Sequence, residues 1–193
     1  IQLFNIQGNV LPNNEKEENW HHRKIGMKRI WPISHRRYLG ILGIVFVIWW
    51  VVLAIHPLDR EAWMLENALV LAGVTLLAVF HRRLLFSRVS YTLIFVFMCV
   101  HQIGAHYTYA GVPYDLWFQK ITGGTLNSLI GWERNNFDRV VHFSYGLLLA
   151  YPIREIFLRV VNVRGFWGYF LPLDLTMSTS MLYELLEWAT CVV

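Results

Sequence analysis

The sequence predicts an all-α fold, a polytopic transmembrane helical bundle of about five spans, on three observations. Of the 193 residues, 55% are hydrophobic, more than a soluble domain of this size divides between one core and its surface. Apolar stretches long enough to cross a bilayer as helices recur from residue 38 onward. The basic residues fall between those stretches in the pattern that membrane topology imposes. A net charge of +4 and a pI near 9.2 raise nucleic acid as a partner. The cations follow the span boundaries, however, and no nucleic-acid motif accompanies them, so that class is set aside and the lipid bilayer is the expected partner.

Residues 1–37 are polar and basic, with Lys16, Arg23, Lys24, Lys28, Arg29, Arg36 and Arg37, and have no period that demands a packed element; they read as a cytoplasmic tail. No charged start precedes a cleavable apolar run, so the first hydrophobic segment is a retained anchor. That segment, residues 38–55 (YLGILGIVFVIWWVVLAI), rises about 27 Å as a helix, close to the hydrocarbon thickness. His56-Pro57 ends it. The link LDRE leads to a second span near 62–80, and HRRLLFSR separates this from a third near 89–105.

An outer loop, 106–136, comes next. Within it YDLWFQKI carries apolar and aromatic residues at helical intervals, as expected of a lid lying in the outer interface. The fourth span, near 137–153, is polar at its start. The fifth, near 166–188, contains Pro172, which should bend it, and Asp174, Thr176, Ser178, Thr179 and Ser180, which suit a helix that faces other helices. Residues 38–193 read as one transmembrane domain.

Charge sets the orientation. With the N-terminus cytoplasmic, thirteen cations lie inside (the tail, Arg82, Arg83, Arg88, Arg154, Arg159 and Arg164) and four outside (Arg60, Lys120, Arg134 and Arg139). In that orientation the ionisable residues converge on the outer face. The third span brings His101 and His106, the fourth Asp138 and His142, the fifth Glu184 and Glu187, with His56, Asp59 and Glu66 near the same level. Such groups are costly at membrane depth unless paired or used, so a polar site is expected there. Counted from an inner boundary near Val89, His101 lies about 18 Å up its helix and is deeper than His106, which is close to the interface. Asp138 and His142 are four apart, and Glu184 and Glu187 three apart, so each helix presents a pair on one side.

Two chemistries fit these side chains. His101, His106, His142, Glu184 and Glu187 are imidazole and carboxylate donors suited to a divalent metal such as Zn, Fe or Mn. Without metal, His142, Asp138 and Glu184 can serve as acid and base, while Arg139 and Arg134 hold an anionic head group. Haem ligated axially by His101 and His142 is a further alternative. No HExxH or ExxH signature chooses among them. Each residue also has a structural reading. Asp138 suits a helix start, His142 and His101 can bond to neighbouring helices, and Glu184 and Glu187 can be solvated at a wet helix end. His106 can join an aromatic belt with Tyr107, Tyr109, Tyr114 and Trp117. Gly104, Gly111, Gly123, Gly124 and Gly131 read as turns and hinges. Cys99 and Cys191 have neither a paired nor a metal-type spacing.

The strings HQIGAHYTYAGVPY, ERNNFDRVVHFSYGLLLAYPIRE and ELLEW, in this order between these spans, resemble the YjdF family of bacterial inner-membrane proteins from about Leu39 onward. The resemblance implies a multi-pass protein of the bacterial cytoplasmic membrane and lends no reaction. It also implies a further span with acidic residues beyond ELLEW, so a chain ending at Val193 is expected to be truncated before it. FDRVVHF is similar to the DKxxHF pattern of VanZ-like membrane proteins, which again puts Asp138 and His142 at a functional helix start. Three classes follow: a membrane enzyme, metal-dependent or acid/base, acting on a lipid-like substrate; an ion- or proton-coupled transporter; or an accessory subunit of a larger membrane complex.

Overall fold

A computed structural model describes residues 33–80 and 86–192, except for the side chains of 80, 186, 187 and 189–192. The tail cations from Lys16 to Arg29, together with Arg82 and Arg83, lie outside the described residues. Contacts divide the chain into two units, Ile1–Arg37 and Tyr38–Val193. Of the first, the described part is the start of a helix, where the Arg37 amide donates to Ser34 Oγ (3.3 Å). The second holds the rest.

Among the described residues there are seven α-helices, one π-helical turn and no strand, so the all-helical class holds. The helices are α1 (His35–Ala54), α2 (Arg60–Phe80), α3 (Arg88–Tyr107), α4 (Tyr114–Thr122), α5 (Leu126–Ile130), α6 (Phe137–Ile156) and α7 (Trp167–Val192), with the π turn at Phe157–Val161. Helices α1, α2 and α3 are long and apolar enough to cross a membrane. Their outward side chains, among them Ile44, Val52, Leu71 and Leu76, are exposed, as expected where the surrounding solvent is lipid.

The connection 106–136 contains two short helices, and α4 covers the YDLWFQKI piece whose apolar residues recur at helical intervals. Asp115 in the first turn and Lys120 in the last suit the dipole of α4, and Thr125 caps α5 by accepting from the Ser128 amide. Gly123 and Gly131 end these helices with φ of 82° and 78°, the left-handed geometry that favours glycine. Asn127 locks the pair together: its amide donates to Asp115 Oδ1 (2.9 Å) and its side chain accepts from Tyr114 Oη (2.7 Å).

The bundle is built on α6, which packs against α3 on one side and α7 on the other, with α2 against α3. Contacts at the ends show α3 and α6 running antiparallel. Near the end of α6, Glu155 accepts from the Ser87 amide (3.0 Å) and from the Ser90 hydroxyl at the start of α3, while Arg159 pairs with it at 2.5 Å. Further along, Tyr145 meets Phe97 edge-on.

Polar side chains tie α1 to its neighbours. Thr92 gives its proton to the Arg88 carbonyl (2.7 Å), so Tyr38 is the donor in the 2.5 Å contact to Thr92 Oγ1. Trp49 donates to the Cys99 carbonyl (3.2 Å). The buried Asn67 joins three helices, accepting from Trp50 Nε1 (2.6 Å) and Gln102 Nε2 (3.0 Å) and donating to the Trp63 carbonyl (2.8 Å). With no hydrophobic drive between helices in lipid, such bonds and close packing do the associating, at about 0.6 kcal/mol per bond on average.

Candidate functional site

Helices α2, α3, α6 and α7 enclose a cavity of about 660 Å³. Its polar groups gather at one end: His101, Tyr109, Arg134, Asp138, His142, Tyr183 and Glu184 line it there. Toward the other end the wall is apolar, with Leu77, Ile94, Leu149 and Ile156. From Asp138 to Ile156 along α6 the lining extends roughly 27 Å at helical rise.

Glu66 of α2 is the hub of the polar end. Tyr183 of α7 donates to its carboxylate, 3.0 Å from Oε1 and 2.9 Å from Oε2. Tyr109 donates to Oε2 at 3.1 Å, and His101 Nδ1 lies 3.0 Å from the same Tyr109 hydroxyl. A phenol has one proton. With Glu66 ionised that proton goes to the carboxylate, so Nδ1–H of His101 donates to Tyr109 Oη and the lone pair sits on Nε2. Nε2 makes no hydrogen bond and stands 3.8 Å from Glu66 Oε2. His101 itself is 9% exposed.

The turn after α3 makes this arrangement possible. Thr108 and Tyr109 both adopt left-handed backbone, at φ 54° and 53°, and the Tyr109 amide donates to the Gly104 carbonyl (2.7 Å). The Tyr109 ring therefore folds back over α3. It rests on Gly104, where a Cβ would come within 2.3 Å of Tyr109 Cε1. Gly104 was expected to be a turn or hinge; it lies inside a helix and its role is to leave room for that ring.

A second cluster forms across α6 and α7. His142 Nε2 is 3.2 Å from Glu184 Oε1 and its Nδ1 is 3.2 Å from Ser180 Oγ. If Nε2 carries the proton for the carboxylate, Nδ1 accepts from the serine, giving the order hydroxyl, imidazole, carboxylate that orients a base toward a hydroxyl. Tyr183, whose ring centre is 6.0 Å from that of His142, stands between this cluster and Glu66. Asp138 lines the same end, and its Oδ1 is buried without a hydrogen-bond partner.

The expected residues do not all meet. His106 is five residues from His101, about 140° around the helix, and turns away from the cavity so that its Nδ1 contacts the Leu53 carbonyl at 2.8 Å. Arg139 is exposed and is not part of the lining. The side chain of Glu187 lies outside the described residues. Among the described residues no three His, Cys, Asp or Glu side chains gather closely enough to hold a metal ion. The described donors fall into two pairs, His101 with Glu66 and His142 with Glu184.

Asp59 has a structural task, accepting from the Glu61 and Ala62 amides (2.9 and 3.0 Å) to cap α2. Tyr183 was not singled out from the sequence, Tyr109 was read only as a belt residue, Ser180 only as one of several polar residues facing other helices, and Glu66 only for its level. An acid inside the apolar span 62–80 is itself the signal for Glu66. The tyrosines had none, because their ring positions come from the fold.

A family model described as "Predicted membrane protein (DUF2238)" matches residues 38–193. Over 131 residues, 67% of this chain, the sequence is 35% identical to the inner membrane protein YjdF of Escherichia coli strain K12. The matched region spans 59% of that protein's length. No solved structure matches. The apolar helices and this inner-membrane relative agree with a location in the bacterial inner membrane. The chain belongs to the DUF2238 family of membrane proteins.

Proposed function

We propose that the protein crosses the inner membrane five times with its N-terminus in the cytoplasm, and performs acid/base chemistry on a membrane-soluble amphiphile held in the cavity between α2, α3, α6 and α7. The observation that carries this reading is the division of one cavity of about 660 Å³ into a polar end and an apolar remainder. A molecule with a polar head and a long apolar tail matches that division. The excess of thirteen inner cations over four outer ones supports the orientation and sets the polar end toward the outer leaflet.

In this reading His142, held by Glu184, is the base, and Ser180 is the hydroxyl it can relay through. Asp138 binds the head, and the His101–Tyr109–Glu66 chain moves a proton to or from it. No step is routed through a metal. Arg139 stands outside the cavity lining, and this reading assigns it no step.

The test compares membrane lipid composition in cells carrying the wild-type protein, Glu66→Gln or His142→Ala at equal expression. An amphiphile that accumulates in both variants and is consumed with the wild type supports the reading. Identical lipid profiles in all three would overturn the chemistry.

A further inference from the structure

We infer that the head group taken at the polar end carries N–H or O–H donors and no negative charge, as in a long-chain amine or alcohol, and that phosphate- and carboxylate-headed amphiphiles are rejected. The inference rests on the cavity being an amphiphile site. It goes beyond that reading by assigning the head.

Two buried atoms at this end lack hydrogen bonds, His101 Nε2 and Asp138 Oδ1, and both belong to residues that line the cavity. Both are acceptors. Asp138 is one whenever it is ionised, and Nε2 of His101 becomes one because Tyr109 spends its proton on Glu66 and so takes Nδ1–H from the ring. His101 is 9% exposed, so water is a poor substitute, and a buried polar atom left unmatched is costly. A ligand that satisfies both atoms must bring donors.

Charge points the same way. Two carboxylates, Asp138 and Glu184, line this end, Glu66 lies behind them bonded to the lining Tyr183, and Arg134 is the cation in the lining. An anionic head would be set against like charge, whereas an ammonium or hydroxyl head meets complementary groups.

Native mass spectrometry of the purified full chain in a neutral detergent tests this with three probes at equal concentration: dodecylamine, dodecan-1-ol and dodecyl phosphate. A Gly73→Trp variant serves to fill the cavity. Gly73 lines the cavity, and a Cβ there meets nothing within 4 Å. The expected result is one adduct of the amine or the alcohol per chain, at least tenfold more occupied than the phosphate adduct, and lost in Gly73→Trp. Asp138→Asn should reduce the preference for amine over phosphate by tenfold or more. Should that variant fail to fold, Glu184→Gln, at a residue whose side chain is 60% exposed, should shift the preference in the same direction. If the phosphate binds as well as the amine and is displaced by Gly73→Trp, the head-group inference is overturned while the cavity remains an amphiphile site. If no probe binds, or Gly73→Trp changes nothing, both readings fall.

Discussion

Replacing Gly104 with alanine is the sharpest perturbation of the site that does not touch an ionisable group. A Cβ at this position would lie 2.3 Å from Tyr109 Cε1 and 2.4 Å from Cδ1, where ordinary carbon contacts begin near ~3.5 Å. The Tyr109 backbone cannot yield easily. Thr108 and Tyr109 are held in left-handed conformations and the Tyr109 amide is bonded to the Gly104 carbonyl, so the ring has to swing away by roughly 1 Å or more. That movement breaks the hydroxyl contacts to Glu66 and His101, now 3.1 and 3.0 Å. Overpacking costs about 1–3 kcal/mol, and losing a bond to a charged acceptor costs about 1.5–3 kcal/mol. The gain in helix propensity offsets at most about 1 kcal/mol. Gly104→Ala should therefore lower unfolding stability in detergent by about 2–4 kcal/mol on these terms. In a Tyr109→Ala background the ring is gone, and the same substitution should become neutral or stabilising by up to about 1 kcal/mol. Equal costs in the two backgrounds would refute the packing argument, and so would an unchanged stability of the single variant.

Three further outcomes are expected from unfolding measurements in the same detergent. Glu155→Ala should cost about 1.5–3 kcal/mol because it strips the buried Ser90 hydroxyl of its acceptor, while Arg159→Ala, at a half-exposed side chain, should cost less than about 1 kcal/mol; the reverse order would show that the ion pair and not the cap dominates. Asp59→Ala should cost about 1 kcal/mol through the lost cap of α2, with Asp59→Ser recovering most of it. Asn67→Leu should weaken the joining of α1, α2 and α3 by about 0.6–1.7 kcal/mol, and Trp50→Phe should cost little more once Asn67 is gone. Full additivity of that pair would deny the shared hydrogen bond.

The helical segments were legible because apolar run length and charge placement are local properties. The run at 38–55 corresponds to α1 at His35–Ala54, and the polar start of the fourth segment coincides with the start of α6 at Phe137. The loop 106–136 was less legible. Helix α4 follows the helical period of YDLWFQKI, whereas the 5-residue α5 is too short to show one, and the exchanges of Asn127 with Asp115 and Tyr114 that hold the two together join residues 12 or 13 apart. The pairing of His142 with Glu184 was within reach, since both stood out as ionisable residues at one membrane level. The placing of His106 was not, because two histidines five apart on one helix face different neighbours and nothing local says which one faces the cavity.

The amino-acid order alone was enough for the all-helical membrane class, the approximate helix limits and the height at which acids and histidines collect, since hydropathy and helical rise depend only on neighbours along the chain. Which of those groups touch was decided in three dimensions. Glu66 became a hub because Tyr109, brought back by a left-handed turn onto Gly104, and Tyr183, more than a hundred residues away, reach the same carboxylate. Contacts of that kind depend on how helices rotate and cross, which is set by packing between segments and not by any one of them.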